Sequence, residues 1–402
     1  MALIKQENRA SILEALKNNG TMSRKDIASI VQLTPAAVTI LVNDMIKDGI
    51  IKEAGELEEG DKRVGRKKIL IDINYNYKYV LGINIEAEQI NIGVSNISGD
   101  IIAETSWATD MDSEMKPEVF LKEIADKCVN LFWKENILKE SILGVGVGIV
   151  GLVDNNTGVS KHAYGLWRQS VHVKGILENA LEIPVVVDNN VRALAVAEMD
   201  YKSEQDISDM LFVKHGPGIG SAMIVGKKIH YGANNKAGEI GHAIMNLEGE
   251  LCKCGKRGCL ETVASKQAIL KNIKAIFSMK ETPLLYSKCN GSADDISLDK
   301  VFEAAFSGGD RERKILRQVA VNMAMAISNA VSLYDPQQVI LYGKTFWYEQ
   351  FLNEFKCIIK EMILVEDLDG FITISKLNYK ENYIGGIALA IRKFFFDVGG
   401  TL

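Results

Sequence analysis

His242 and a tight run of cysteines at Cys252, Cys254 and Cys259 are the side chains in this sequence best suited to chemistry. One imidazole and three thiolates form a tetrahedral donor set of the kind zinc prefers. Gly255 and Gly258 lie among the thiols, and closing thiolates onto one ion demands the sharp backbone turns that glycine permits. Four protein ligands fill the coordination sphere, so the set predicts structural rather than catalytic zinc. The alternative is three unrelated buried cysteines, which their clustering within eight residues disfavours. Six Cys in 402 residues make no disulfide scaffold, so a reduced, cytoplasmic protein is expected.

The elements that must carry this set read as an α/β body. Tyr79–Ile85, Gln89–Val94 and Ile101–Ala103 are strand-like, and a helical stretch from Pro117 to Glu135 leads into the glycine-rich strand Gly144 to Gly151. Val185-Val186-Val187 is another buried strand, followed by Asp188-Asn189-Asn190 and an Ala-rich helix through Glu198. A meander and then alternating helices and strands, repeated after Met210, predict two α/β lobes with a cleft between them. On residue type alone, Glu239 and Glu261 read as surface ion-pairing groups, and Asn189-Asn190 as a turn. His162 and Trp167 are candidates to line the cleft, with core packing equally open to Trp167.

The first 74 residues follow a different pattern. Ala10, Ile12, Leu13 and Leu16 give a helical stripe from Glu7 to Lys17, and Ser23 with Asp26 caps a second helix. Thr34-Pro35 is an N-cap followed by proline at the first helical position. Val38, Leu41, Val42 and Met45 then form an apolar stripe that stops at Gly49. Thr34, Ala36, Ala37, Thr39 and Asn43 fall off that stripe, where small residues let a helix approach a major groove and polar ones reach phosphates or base edges. Ile50-Ile51-Lys52 and Ile69-Leu70-Ile71 are expected to be the strands of a wing. Arg63, Arg66 and Lys67 lie between them, and with Arg24 they complete a candidate DNA-contacting set. Three helices and a wing predict a winged helix-turn-helix; a helical bundle that binds protein is the alternative.

Charge permits this without requiring it. Lys+Arg number 47 and Asp+Glu 52, a net charge of −5, while residues 1–68 hold 12 basic against 10 acidic side chains. The N-terminus lacks the apolar core of a signal peptide, and the longest apolar run, Ser141 to Val153, falls short of the ~20 residues of a membrane helix.

Gly238-Glu239-Ile240-Gly241-His242, followed by Cys-x-Cys-Gly-x-x-Gly-Cys-x-Glu ending at Glu261, resembles the signature of the ROK family of repressors and sugar kinases. The head is similar to the winged helix of its xylose-repressor and N-acetylglucosamine-repressor branch, with Val64-Gly65-Arg66-Lys67 where that branch often has Gly-Gly-Arg-Arg. The resemblance spans essentially the whole chain. It implies a two-lobed actin-like ATPase (RNase H-like) ROK domain, a homodimer or homotetramer, and a sugar effector held by Asn189, Asn190, Glu239, His242 and Glu261. The expected division is 1–74 for the head, 75–194 plus 380–402 for the first lobe, and 195–379 for the second lobe with the zinc. His242 would bind zinc through one ring nitrogen and a sugar hydroxyl through the other.

The family's kinases carry phosphate-binding elements that this sequence alters. Asn84-Ile85-Glu86-Ala87-Glu88 stands where an Asp-x-Gly-Gly-Thr loop would hold ATP, and its carboxylates repel phosphate. Alignment on the following helix puts Asn190 at the position of the general base, and an amide cannot accept that proton; a two-residue slip restores Asp188. Pro217 replaces the hydroxyl residue of a second Gly-Thr-Gly turn, and Gly343-Lys344 the glycine pair near adenosine. A non-catalytic, sugar-responsive repressor that binds operator DNA is therefore expected, with no membrane partner. An active sugar kinase carrying a DNA-binding head is the alternative.

Overall fold

The computed structural model describes residues 2–56, 68–109, 115–201 and 207–400. The head comprises α1 (Ala2–Asn19), β1 (Met22–Ser23), α2 (Arg24–Ile30), α3 (Pro35–Lys47), β2 (Ile51–Glu56) and β3 (Ile69–Ile73). Both expected caps form: Ser23 Oγ accepts from the Asp26 amide and Thr34 Oγ1 from the Ala37 amide, each satisfying a helix-end donor. The first helix begins five residues before the Glu7 expected from its apolar stripe, because its opening turn is exposed and carries no stripe to read. β2 and β3 pair antiparallel, Ile51 opposite Ile73, as the wing requires, and β1 adds a short third strand. Arg63, Arg66 and Lys67 lie outside the described residues.

The body continues with β4 (Tyr79–Ile85), β5 (Gln89–Asn96), β6 (Ile101–Ala108), α4 (Pro117–Lys134), β7 (Ile142–Ile149), β8 (Leu152–Asp154), β9 (Val159–His162), α5 (Val173–Leu181), β10 (Val185–Asn189) and α6 (Asn190–Tyr201). Then follow β11 (Met210–His215), β12 (Ile219–Val225), β13 (Lys228–Ile229), α7 (Leu260–Ala264), α8 (Lys266–Ile276), α9 (Pro283–Lys288), α10 (Leu298–Phe306) and α11 (Asp310–Tyr334). The chain closes with β14 (Gln338–Tyr342), α12 (Glu349–Lys360), α13 (Leu368–Phe371), β15 (Ile372–Ile374) and α14 (Tyr383–Ile391). The two main sheets run β10-β7-β4-β5-β6 and β15-β14-β11-β12-β13, the same order of a three-strand meander joined to two parallel strands. That duplication is the two-lobed architecture expected from the repeated pattern. Among the described residues no single helix is long and apolar enough to cross a membrane.

Helix α14 returns from the second lobe and lies directly on the first sheet. Glycine makes this possible: a Cβ at Gly146 would sit 1.9 Å from the Gly386 carbonyl oxygen. The helix then widens into a π-turn, Arg392–Phe396, and enters the head. Ile387, Ile391 and Phe395 share one buried cluster with Ile12, Leu13 and Leu16 of α1 and Val42 and Met45 of α3. At roughly 1.5–3 kcal/mol per fully buried large apolar side chain, this docks the head on the body rather than tethering it. Polar contacts orient the joint. Arg9 Nε donates to the Gly399 carbonyl at 3.1 Å, and Asp200, near the end of α6, accepts from Lys17 of α1 at 2.6 Å and from Arg392 at 2.6 and 2.8 Å.

Candidate functional site

His242 and the three cysteines converge, their ligand atoms all within 4.8 Å of one another. Cys254 Sγ lies 3.7 Å from Cys259 Sγ, and Cys252 Sγ lies 3.6 Å from His242 Nδ1. A tetrahedron with metal–sulfur bonds of about 2.3 Å has S–S edges of about 3.8 Å, so the donor set fits zinc. Gly258 is required here, because its φ is +66° and a Cβ would fall 1.5 Å from the Asn246 carbonyl oxygen. The ring nitrogen facing the thiols is Nδ1. Nε2 turns toward the cleft, 3.8 Å from Glu239 Oε2.

The cleft beside this centre is lined by Glu86, Tyr164, Asn189, Asn190, Glu239, His242 and Glu261, with the β11–β12 turn above it. Glu239 opens a 3₁₀ turn that ends at His242, and Glu261 lies in the first turn of α7, directly after Cys259. The metal loop and the carboxylates are thus parts of one local structure. Burial pushes the Glu239 carboxyl up to about 7, with Arg192 opposing and Glu261 adding to the rise. Burial also raises Glu261, whose Oε2 accepts from the Ile219 amide at 3.2 Å. Burial, then Lys256, pushes the His242 imidazole down to about 4, which keeps it neutral and able to ligate.

The two asparagines divide their work. Asn189 Oδ1 accepts from the Val191 and Arg192 amides and caps α6, while its Nδ2 donates to the Gly151 carbonyl. Asn190, the first residue of α6, donates from Nδ2 to Glu86 Oε1 at 3.1 Å. Glu86 also accepts from Lys214 Nζ at 2.6 Å and Asn84 Nδ2 at 3.1 Å. Burial would raise this carboxyl, yet Lys214 beside it leaves it below its usual value. Asp188 is buried, ion-paired with Arg192 at 3.3 Å and accepting from Tyr231 Oη at 2.9 Å; it is not among the cleft-lining residues. Trp167 belongs to the core of the first lobe, edge-on to Phe120 with Nε1 bonded to Ser160 Oγ. His162 packs edge-on to Tyr164, which in turn packs edge-on to the His242 ring.

Glu86 and Lys214 also border a second cavity of about 350 Å³, where Gln89, Tyr342, Lys344 and Asn382 meet. Its three lysines are each ion-paired: Lys214 with Glu86, Lys266 with Glu88, and Lys344 with Asp299. A nucleotide phosphate arriving here would have to displace a carboxylate from every cation.

On the head, Thr34, Ala36, Thr39 and Asn43 are exposed along α3, and Ala37 is half-buried. The Thr39 hydroxyl donates to the Pro35 carbonyl at 2.7 Å. Arg24 Nη2 lies between Asn43 Oδ1 and Glu53 Oε1, at 3.2 and 3.3 Å.

A model of the ROK family matches residues 80–393. The chain belongs to the ROK family. A winged helix-turn-helix DNA-binding model matches residues 6–52 of this ROK protein. It is 30% identical to the xylose repressor of Caldicellulosiruptor bescii, over 97% of this chain and 96% of that one. It is 26% identical to the DNA-binding transcriptional dual regulator NagC of Escherichia coli K12, over 85% and 81%. A solved ROK family transcriptional regulator, a homologue of the E. coli MLC protein, superposes with a TM-score of 0.82 at 22% identity, covering 98% of both chains. A ROK glucokinase from Streptomyces griseus, solved with glucose and AMPPNP, gives 0.67 at 25% identity, over 78% of this chain and 99% of that one.

Two parts of the ROK cleft escaped the sequence reading: the Lys214 partner of Glu86 and the ring of Tyr164. Glu86 itself was visible as a misfit in a phosphate loop. Lys214 carried no such signal, since an isolated lysine at a strand end is usually solvated.

Proposed function

We propose that this chain is a transcriptional repressor of carbohydrate-use genes, released or engaged by a sugar that binds a kinase-like body without being phosphorylated. The observation that carries the reading is the single helix α6. Asn190 at its start lines the cleft with Glu239, His242 and Glu261, and Asp200 near its end bonds the DNA-binding head through Lys17. At 1.5 Å per residue these two residues are about 15 Å apart along one rigid rod.

A sugar ring presents vicinal hydroxyls, which paired carboxylates and amides bind in fixed geometry. The zinc centre, when filled through His242, Cys252, Cys254 and Cys259, supplies rigidity: it holds the His242 ring with Nε2 facing the ligand and keeps Glu261 in place. Asn190 and Glu239 would then take hydroxyls on opposite sides of the cleft. A ligand that draws Asn190 away from Glu86 shifts α6, and the shift reaches Asp200 and the head. In a homodimer or homotetramer, two winged helices must meet half-sites about 34–36 Å apart, or a multiple of that. A change in their spacing sacrifices avidity without altering a base contact. This is a population shift acting in the cytoplasm, where the operator is.

Phosphoryl transfer from ATP to a sugar hydroxyl is disfavoured on two grounds. Asp188, the residue able to act as a base, is held by Arg192 and Tyr231 away from the cleft, and the lysines near the second cavity are neutralised. The test is a thermal-shift panel of free, phosphorylated and N-acetylated sugars on zinc-replete protein, xylose first, followed by operator binding at fixed salt. A ligand at 100 times its Kd adds about 2.7 kcal/mol, a shift of a few degrees. We expect one sugar to raise the melting point, to lose that effect in Glu239→Ala, and to change operator affinity. Sugar-dependent ATP turnover abolished by Asn190→Ala would instead establish a kinase.

A further inference from the structure

Helix α3 buries Val38, Leu41, Val42 and Met45. At 100° per residue, the opposite face is centred on Ala36, Ile40, Asn43 and Lys47. Ile40 is therefore not at the margin of the outward face but in its middle, and it is 64% exposed. A lone exposed isoleucine needs no explanation, but this one sits where a groove-facing helix meets base edges. The hydroxyls flanking that face each spend one hydrogen-bonding role on the helix itself. Thr34 Oγ1 caps the Ala37 amide and Thr39 Oγ1 bonds the Pro35 carbonyl. What the N-terminal half of the helix presents outward is thus chiefly methyl groups, from Ala36 and Ile40.

We propose that Ile40 is a specificity-determining residue that, with Ala36, reads the C5-methyl group of an operator thymine; this rests on the reading of α3 as the groove-facing helix. Thymine is the base that places a methyl group in the major groove, and alanine- or threonine-like apolar contacts recognise it there. Asn43, three residues on, suits adenine, whose pairing partner is thymine. The face is then built for A·T pairs, with the amide taking the purine and the isoleucine the pyrimidine methyl.

The experiment uses the full chain and a duplex selected from a random library, with each thymine replaced in turn by deoxyuridine, which lacks only that methyl. We expect one replacement to weaken wild-type binding about fourfold, the worth of one buried methylene-sized group. Ile40→Ala should bind the thymine duplex more weakly than wild type does, and should lose less than wild type when that thymine is replaced. That cycle isolates the pairwise contact. Ile40 is exposed and alanine favours helix, so the variant folds. Leu333→Ala, which removes an exposed apolar side chain on α11, is the control, expected to keep both wild-type affinity and the full methyl sensitivity. If wild type and Ile40→Ala respond equally at every thymine, the methyl contact is overturned while DNA binding stands. If no duplex is enriched at all, the DNA-reading role of α3 fails, and this proposal with it.

Discussion

Lys17→Met is the sharpest probe of how the body speaks to the head. Lys17 Nζ lies 2.6 Å from Asp200 Oδ1; the lysine side chain is 28% exposed and the aspartate 7%. The pair falls between two regimes. Exposed ion pairs contribute ~0.2–1 kcal/mol, and losing one partner of a buried pair costs ~3–5 kcal/mol. The substitution removes the half-solvated partner and leaves Asp200 its bidentate contact with Arg392, so the penalty sits near the lower bound, at ~1 kcal/mol. If that energy differs between the sugar-bound and sugar-free arrangements, it caps what the pair transmits. A ~1 kcal/mol term corresponds to about a fivefold change in the ratio of operator affinities with and without sugar. The assay is a fluorescence-anisotropy titration of operator at fixed salt, with and without saturating sugar, for wild type and variant. The expected outcome is a coupling ratio reduced by up to about fivefold, with sugar affinity in the absence of DNA altered by no more than the same factor. An unchanged ratio in Lys17→Met would refute the transmission route through α6.

Two further outcomes follow from the geometry. Cys254→Ser should reduce zinc content from about one per chain toward zero and lower the melting temperature, since three ligands cannot close a structural site; metal analysis of dialysed protein with parallel thermal melts reads both. Glu86→Gln leaves Lys214 buried without its counter-charge, a cost of ~3 kcal/mol at neutral pH. The Glu86 carboxyl is held below its usual value, so its stabilising effect is full above its unfolded pKa and is lost as pH falls through the lower folded one. Denaturation curves from pH 7 down to pH 3 should therefore show the wild type's advantage over this variant shrinking below about 4.5.

Much of the molecule could be read from local patterns. The caps at Ser23 and Thr34, the stripe on α3 and the wing strands are contacts between residues close in sequence, so spacing alone reveals them. The His242–Cys259 segment is similarly local: its four ligands span eighteen residues, and the glycines needed to fold them together lie in the same run. Glu86 stood out for the same reason, as a carboxylate in the short Asn84–Glu88 segment read as an altered phosphate loop.

What the sequence by itself determined, then, was the set of parts: a capped helix of a winged helix-turn-helix, a four-residue His/Cys set able to hold a metal, and, through the family resemblance, the carboxylates and amides to look for in the cleft. Only the tertiary structure decided how they are joined. Glu86, Asn190 and Lys214 meet across separations of 104 and 128 residues, and Lys17, Asp200 and Arg392 across 183 and 192. No periodicity records such pairs. A buried charge must find its partner wherever the chain happens to bring one, and that depends on the stacking of α14 against α6 and the first sheet.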